Sequence, residues 1–248
     1  MPNTPNLPAS STPSRDWLAV LFALGLPTLV TLVYFVWSEG FDAGLRQGIY
    51  GIAKVVQFGF PIFWVWVVQR HRPRLWPISL SGVALGIGFG VVILVAALGL
   101  YHGWLKSADF FVAGIGPMQD KIADMGLDAA WKFAALGVFY SLFHSLLEEY
   151  YWRWFVFDQL KRLVPLWPAI VISALGFMAH HILVIGTFFG YDSPLTWLLS
   201  AAVATGGLFW AWLYDRSGSL IGPWLGHLFV DAAIFVIGYD VASGLFVG

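Results

Sequence analysis

The chain has 248 residues, 59% of them hydrophobic, 18% aromatic and only 11% charged. Soluble domains are about a quarter charged, so together with a mean hydropathy of +0.76 this composition excludes the water-soluble class and predicts a polytopic membrane protein. A net charge of −1 provides no basic surface for nucleic acid, and the absence of cysteine removes disulfides, thiolate metal sites and thiol nucleophiles.

Residues 1–16 hold four prolines among Asn, Ser and Thr, with no apolar period, and read as a short disordered tail. Residues 17–248 read as one transmembrane domain. Its first apolar run, Trp17–Trp37, lacks a small-residue cleavage site and is too long for a signal-peptide core, so it is expected to be a retained span. Further runs follow at Leu45–Val68, Ile78–Tyr101, Trp131–Phe157, Trp167–Phe189, Leu195–Tyr214 and Ser219–Gly238. Each reaches the ~20 residues a helix needs to cross ~30 Å of hydrocarbon. The fold class is therefore all-α with about seven (7–8) transmembrane helices. A barrel is excluded because the runs do not alternate apolar with polar residues.

Alternate connections carry unequal positive charge. Arg15, Arg70, Arg72, Arg74, Arg153, Lys161, Arg162 and Arg216 fall on one side, and Arg46, Lys54, Lys106, Lys121 and Lys132 on the other. The excess places the N-terminus in the cytoplasm and the C-terminus outside. The long connection, Gly103 to Ala130, mixes Phe110, Phe111, Ile115 and Met118 with aspartates and is expected to lie along the outer interface.

An ionisable group within a span costs roughly 2.5–3.5 kcal/mol, so each one is a candidate functional residue. They concentrate in the fourth, fifth and seventh spans. The fourth holds His144, Glu148, Glu149 and Arg153. Glu149 and Arg153 are four apart in the favourable order for a helical ion pair, which is a structural role. Glu148, about 100° round the helix, lacks that partner and suits a general base. His144 lies one turn earlier on its face. The fifth span holds Phe177, His180 and His181, and the seventh His227 and Asp231, one turn apart. Lys54 and Gln57 in the second span are outliers; Lys54 could pair with a carboxylate of the cavity, contact substrate or snorkel to the outer surface, and snorkelling is the expectation taken. Counted from the inner span ends at ~1.5 Å per residue, Glu148, His181, His227 and Asp231 fall within one shell about 10 Å deep, as a single polar cavity requires.

With no cysteine and no buried activated serine, such a set points to water as nucleophile and to hydrolysis of an acyl bond. Glu148 and His181 would activate the water, and His227, backed by Asp231, would stabilise the oxyanion or protonate the leaving amine. The same nitrogens and oxygens could instead hold a zinc-type ion. A proton-coupled transporter is the main non-enzymatic alternative, since Glu and His at mid-membrane also build proton relays.

The three motifs resemble those of the CPBP intramembrane proteases, relatives of the type-2 CAAX prenyl endopeptidase. EEYYWR (Glu148–Arg153) matches EExxxR, FMAHH (Phe177–His181) matches FxxxH, and HLFVD (His227–Asp231) matches HxxxN/D. They lie in order across a protease core at residues 131–238; the first three spans match only in hydrophobicity. The resemblance implies a membrane endopeptidase whose catalytic helices form a conical intramembrane cavity. It makes Glu148 the base, His181 its partner, and His227 with Asp231 the oxyanion site, supported by Glu149, Arg153, Phe177, His180 and His144. It favours a glutamate-dependent reaction with no required cofactor over the alternative, Zn2+ held by Glu148, His181, His227 and Asp231. Implied partners are the bilayer and a membrane-anchored, prenylated or leader-bearing peptide. Some bacterial members resemble bacteriocin self-immunity proteins, a non-catalytic alternative. The Phe spacing favours His181 over His180. Asp231 departs from the Asn of the eukaryotic branch: ionised, it cannot donate to an oxyanion, so it would have to be protonated, orient His227 or bind metal.

Overall fold

The computed structural model describes residues 13–38, 40–71, 77–127 and 129–246, and these contain helices and no strand. Among the described residues, seven helices are long and apolar enough to cross a membrane: α1 (Ser14–Trp37), α2 (Gly44–Val68), α3 (Leu80–Leu105), α5 (Ala130–Leu160), α6 (Leu166–Phe189), α7 (Pro194–Ser217) and α8 (Ile221–Leu245). Between α3 and α5 lies the shorter α4 (Val112–Asp124). The protein is an all-α, multi-pass integral membrane protein.

Residues 1–12 of the expected tail, and Arg72 and Arg74 of the basic cluster, lie outside the described residues. The tail reading is corrected at its end: the chain is already helical at Pro13. Proline is suited to a first helical turn because its missing N–H would have no partner there, and Asp16 complements the positive end of the helix.

Local chemistry sets the helix ends. Asp42 Oδ1 accepts from the Gly44 and Leu45 amides at 2.8 and 3.3 Å, capping α2. Ser79 caps α3 through the Gly82 amide, and Ser193 with Pro194 opens α7. Gly218, at φ +63°, ends α7 in the left-handed conformation that glycine adopts without a Cβ penalty.

Two packing features position the polar residues. Helix α5 runs through the core: Tyr151, Trp152, Phe155 and Phe157 are fully buried, packed with Val20 of α1, Phe177 of α6 and Trp210 of α7. The Tyr151 hydroxyl donates to the Ala23 carbonyl at 2.7 Å, tying α5 to α1. On the other side, α3 and α8 meet backbone to backbone. A Cβ on Gly86 would lie 2.0 Å from the Gly222 carbonyl oxygen, and one on Gly90 2.7 Å from that of Gly226. Small residues at one-turn spacing permit this approach in lipid, where close packing replaces the hydrophobic drive. The α4 segment is tied down by Arg46–Asp124 at 3.3 Å and by Lys121 over the Tyr34 ring at 4.3 Å.

Candidate active site

The site grows from α5. Wide π turns at Tyr140–His144 and Tyr150–Phe157 flank a short α segment, Ser145–Glu149, which ends in the two glutamates. Such turns are rare and recur at functional positions because they shift the facing of the residues around them. Both glutamates are buried, and their side chains go different ways.

Glu148 faces imidazoles on three helices. Its Oε1 is 3.5 Å from His180 Nε2 on α6, and its Oε2 is 3.7 Å from His227 Nε2 on α8 and 3.8 Å from His144 Nδ1 on α5. These separations exceed direct hydrogen bonds, so the carboxylate oxygens keep acceptor capacity for a water bound beside them. The structure thus brings Glu148 together with His144, His180 and His227, all from separate turns or helices.

Glu149 does more than the ion pair expected of it. Arg153 Nη1 stands 3.1 Å from its Oε1, and His227 Nδ1 stands 2.8 Å from the same oxygen. A carboxylate only accepts, so His227 Nδ1 carries the proton of that bond, and Nε2 is left facing Glu148 and Asp231. Asp231 Oδ1 is 3.5 Å from that Nε2. The short carboxylate partner of His227 is therefore Glu149 rather than Asp231, because the packing of α8 against α5 overrides the one-turn spacing within α8.

Aromatic rings hold these groups in place. His227 stacks on Trp210 at 4.3 Å and meets Phe177 edge-on at 5.8 Å. Arg153 lies over the Phe177 and Trp210 rings at 4.8 and 5.2 Å, a favourable setting for a guanidinium away from water. His180 stacks parallel to Trp152 at 5.7 Å. Trp152 and Trp210 carried no sequence signal, since tryptophan is expected at membrane interfaces anyway.

The neighbouring histidines differ in their bonding. His181 Nδ1 is 2.8 Å from the Phe177 carbonyl oxygen, one turn back; the carbonyl can only accept, so His181 Nε2 is left as the acceptor. His180 Nδ1 is buried without a hydrogen-bond partner. One ligand atom from each of Glu148, His180 and His181 lies within 4.8 Å of the others. One carboxylate and two imidazoles are a donor set that a zinc-type ion accepts, and such an ion would supply Lewis-acid activation of water there. His227 and Asp231, also expected among the ligands, lie outside this trio.

Lys54 does not take the snorkelling course expected from sequence. Its ammonium sits over the rings of Tyr50 and Phe58, at 5.3 and 5.5 Å, and Phe58 in turn meets His144 edge-on at 6.3 Å.

No solved structure matches the chain. A UPF0060 membrane protein of Cupriavidus pinatubonensis is 30% identical over 70 residues, which are 28% of this chain; the chain spans 64% of that relative's length. The family model of the Rce1-like type II CAAX prenyl endopeptidases matches residues 130–233. That stretch contains α5, α6 and α7 and the part of α8 bearing His227 and Asp231. Over residues 130–233 the chain is therefore similar to the Rce1-like, type II CAAX prenyl endopeptidases, in line with the resemblance of its three motifs to the CPBP intramembrane proteases.

Proposed function

We propose that this protein is an intramembrane endopeptidase that hydrolyses a peptide bond of a membrane-associated substrate with water activated by Glu148. The observation that carries the reading is the placement of one buried carboxylate 3.5–3.8 Å from imidazoles of three helices. A water seated there gives one proton to Glu148 while the lone pair of His181 Nε2 orients its other hydrogen. The water oxygen then attacks the carbonyl carbon.

His227 is the electrophilic partner. Glu149 fixes its Nδ1–H, so that a protonated Nε2 donates to the oxyanion or passes its proton to the leaving amine. Arg153 holds Glu149 in turn and is a positioning residue. Asp231, 3.5 Å from Nε2, offers that nitrogen an oxygen acceptor that orients it and need not contact the oxyanion itself. Hydrolysis by this route needs no organic cofactor. The orientation inferred from charge puts the N-terminus in the cytoplasm.

The test is Glu148→Gln, which keeps shape and removes the base. It is expected to abolish cleavage of membrane peptides while the protein inserts and melts normally; turnover at the wild-type rate would remove the mechanism. Peptidomic comparison of membranes carrying the wild type and this variant identifies the substrate.

A further inference from the structure

The second span holds a cation that the reaction described above does not use. Lys54 is ten residues into α2, about 15 Å along its axis, near mid-span. Charge at that depth is costly unless it has a partner or a task. The ionic contacts of Glu148 run to histidines, and among the described residues no carboxylate pairs directly with Lys54. The buried guanidinium of Arg153 is neutralised differently, by a 3.1 Å contact with Glu149. The Tyr50 and Phe58 rings hold the Lys54 ammonium without cancelling its charge. Phe58, one of the two rings beneath it, meets His144 of the site edge-on at 6.3 Å, so the group stands beside the site. One turn on, Gln57 is buried with its side-chain oxygen lacking a hydrogen-bond partner. Tyr50 also lines an apolar cavity of about 270 Å³ between α1 and α2, with Leu26, Val30, Tyr34 and Ala53.

We infer that Lys54 is the anion-binding residue of the substrate site, receiving a carboxylate of the peptide whose nearby amide bond Glu148 addresses, while the α1–α2 cavity takes an apolar group of the same substrate. The inference rests on the peptidase reading. The carboxylate has two sources, a free peptide C-terminus or an acidic side chain.

Binding separates recognition from turnover. Three dansyl-labelled, S-alkylated tetrapeptides, one with a free C-terminus, one its C-terminal amide and one an amide with an internal Asp, are titrated by anisotropy against detergent-solubilised Glu148→Gln protein. At least one carboxylate-bearing peptide is expected to bind tenfold or more tightly than the neutral amide, as a charge-assisted hydrogen bond in a dry site allows. Which one does so names the source. Adding Lys54→Met should level the affinities, and adding Lys54→Arg should keep the preference, which shows that the loss follows charge and not misfolding. Equal affinities without the Met change, no binding of either acid, or a preference surviving Lys54→Met each overturns the inference. Cleavage of the same peptides by the wild type is scored separately: a carboxylate preference without cleavage would sink the peptidase reading and leave the anion site standing.

Discussion

Glu149→Gln probes two roles of one oxygen. Glu149 and Arg153 are 0% and 1% exposed, and Oε1 accepts from His227 while standing 3.1 Å from Arg153 Nη1. Removing one partner of a buried pair costs about 3–5 kcal/mol, because the remaining charge is left uncompensated. Glutamine keeps a carbonyl oxygen for His227, so the lower end, about 3 kcal/mol, is expected. At roughly 2–4 °C per kcal/mol for a chain of this size, the melting temperature in detergent, followed by tryptophan fluorescence, should fall on the order of 10 °C. Cleavage should fall more than occupancy of the folded state explains, on the order of a hundredfold, because a neutral amide holds the Nδ1–H of His227, and with it the ring's orientation and tautomer, less firmly than a carboxylate does. The double variant Glu149→Gln with Arg153→Met removes the orphaned guanidinium. Most of the melting temperature should return while activity stays low. An unchanged melting temperature in the single variant, or recovered cleavage in the double one, would refute the reasoning.

Four further outcomes are expected. Gly86→Ala should destabilise by about 3 kcal/mol or more, since its Cβ meets the Gly222 carbonyl at 2.0 Å and neither backbone can yield; Gly25→Ala, whose Cβ meets nothing within 4 Å, should leave the melting temperature unchanged or higher. Trp210→Ala should lower kcat more than it raises KM, because the ring stacked on His227 positions that imidazole and lies beneath Arg153; a change in KM alone would contradict this. Asp231→Asn should retain most activity and Asp231→Leu little, measured on the same peptide, because both Asp and Asn place an oxygen near His227 Nε2. Activity should survive exhaustive chelation with no stoichiometric zinc by elemental analysis; restoration by added zinc would instead assign an ion to Glu148, His180 and His181.

The spans were legible because hydrocarbon thickness fixes their length and lipid forbids free backbone donors, a constraint that acts on every residue of a run. The Glu149–Arg153 pair was legible because it is local, one turn of one helix. The bond between Glu149 and His227 was not, since it joins residues 78 apart and depends on how α8 seats against α5. For the same reason Asp231, the local neighbour of His227, looked like its main partner. Lys54 was misread in direction: hydropathy reports depth, but the rings that draw its ammonium inward, Tyr50 and Phe58, flank it only once α2 is coiled and docked. The π turns on either side of the glutamates leave no compositional trace.

The glycine seam between α3 and α8 has a mechanical consequence. Gly86 and Gly222 are in backbone contact, and so are Gly90 and Gly226, one residue before His227. A wall joined main chain to main chain resists swinging, so the imidazole it bears keeps its bearing. Helix α2 is the opposite case, burying Gln57, Pro61 and Val65 and little else among its described residues. The molecule is then built like a vice, with α3 and α8 as the fixed jaw, and under the proposed function entry of a peptide from the bilayer would fall to the jaw that carries Lys54.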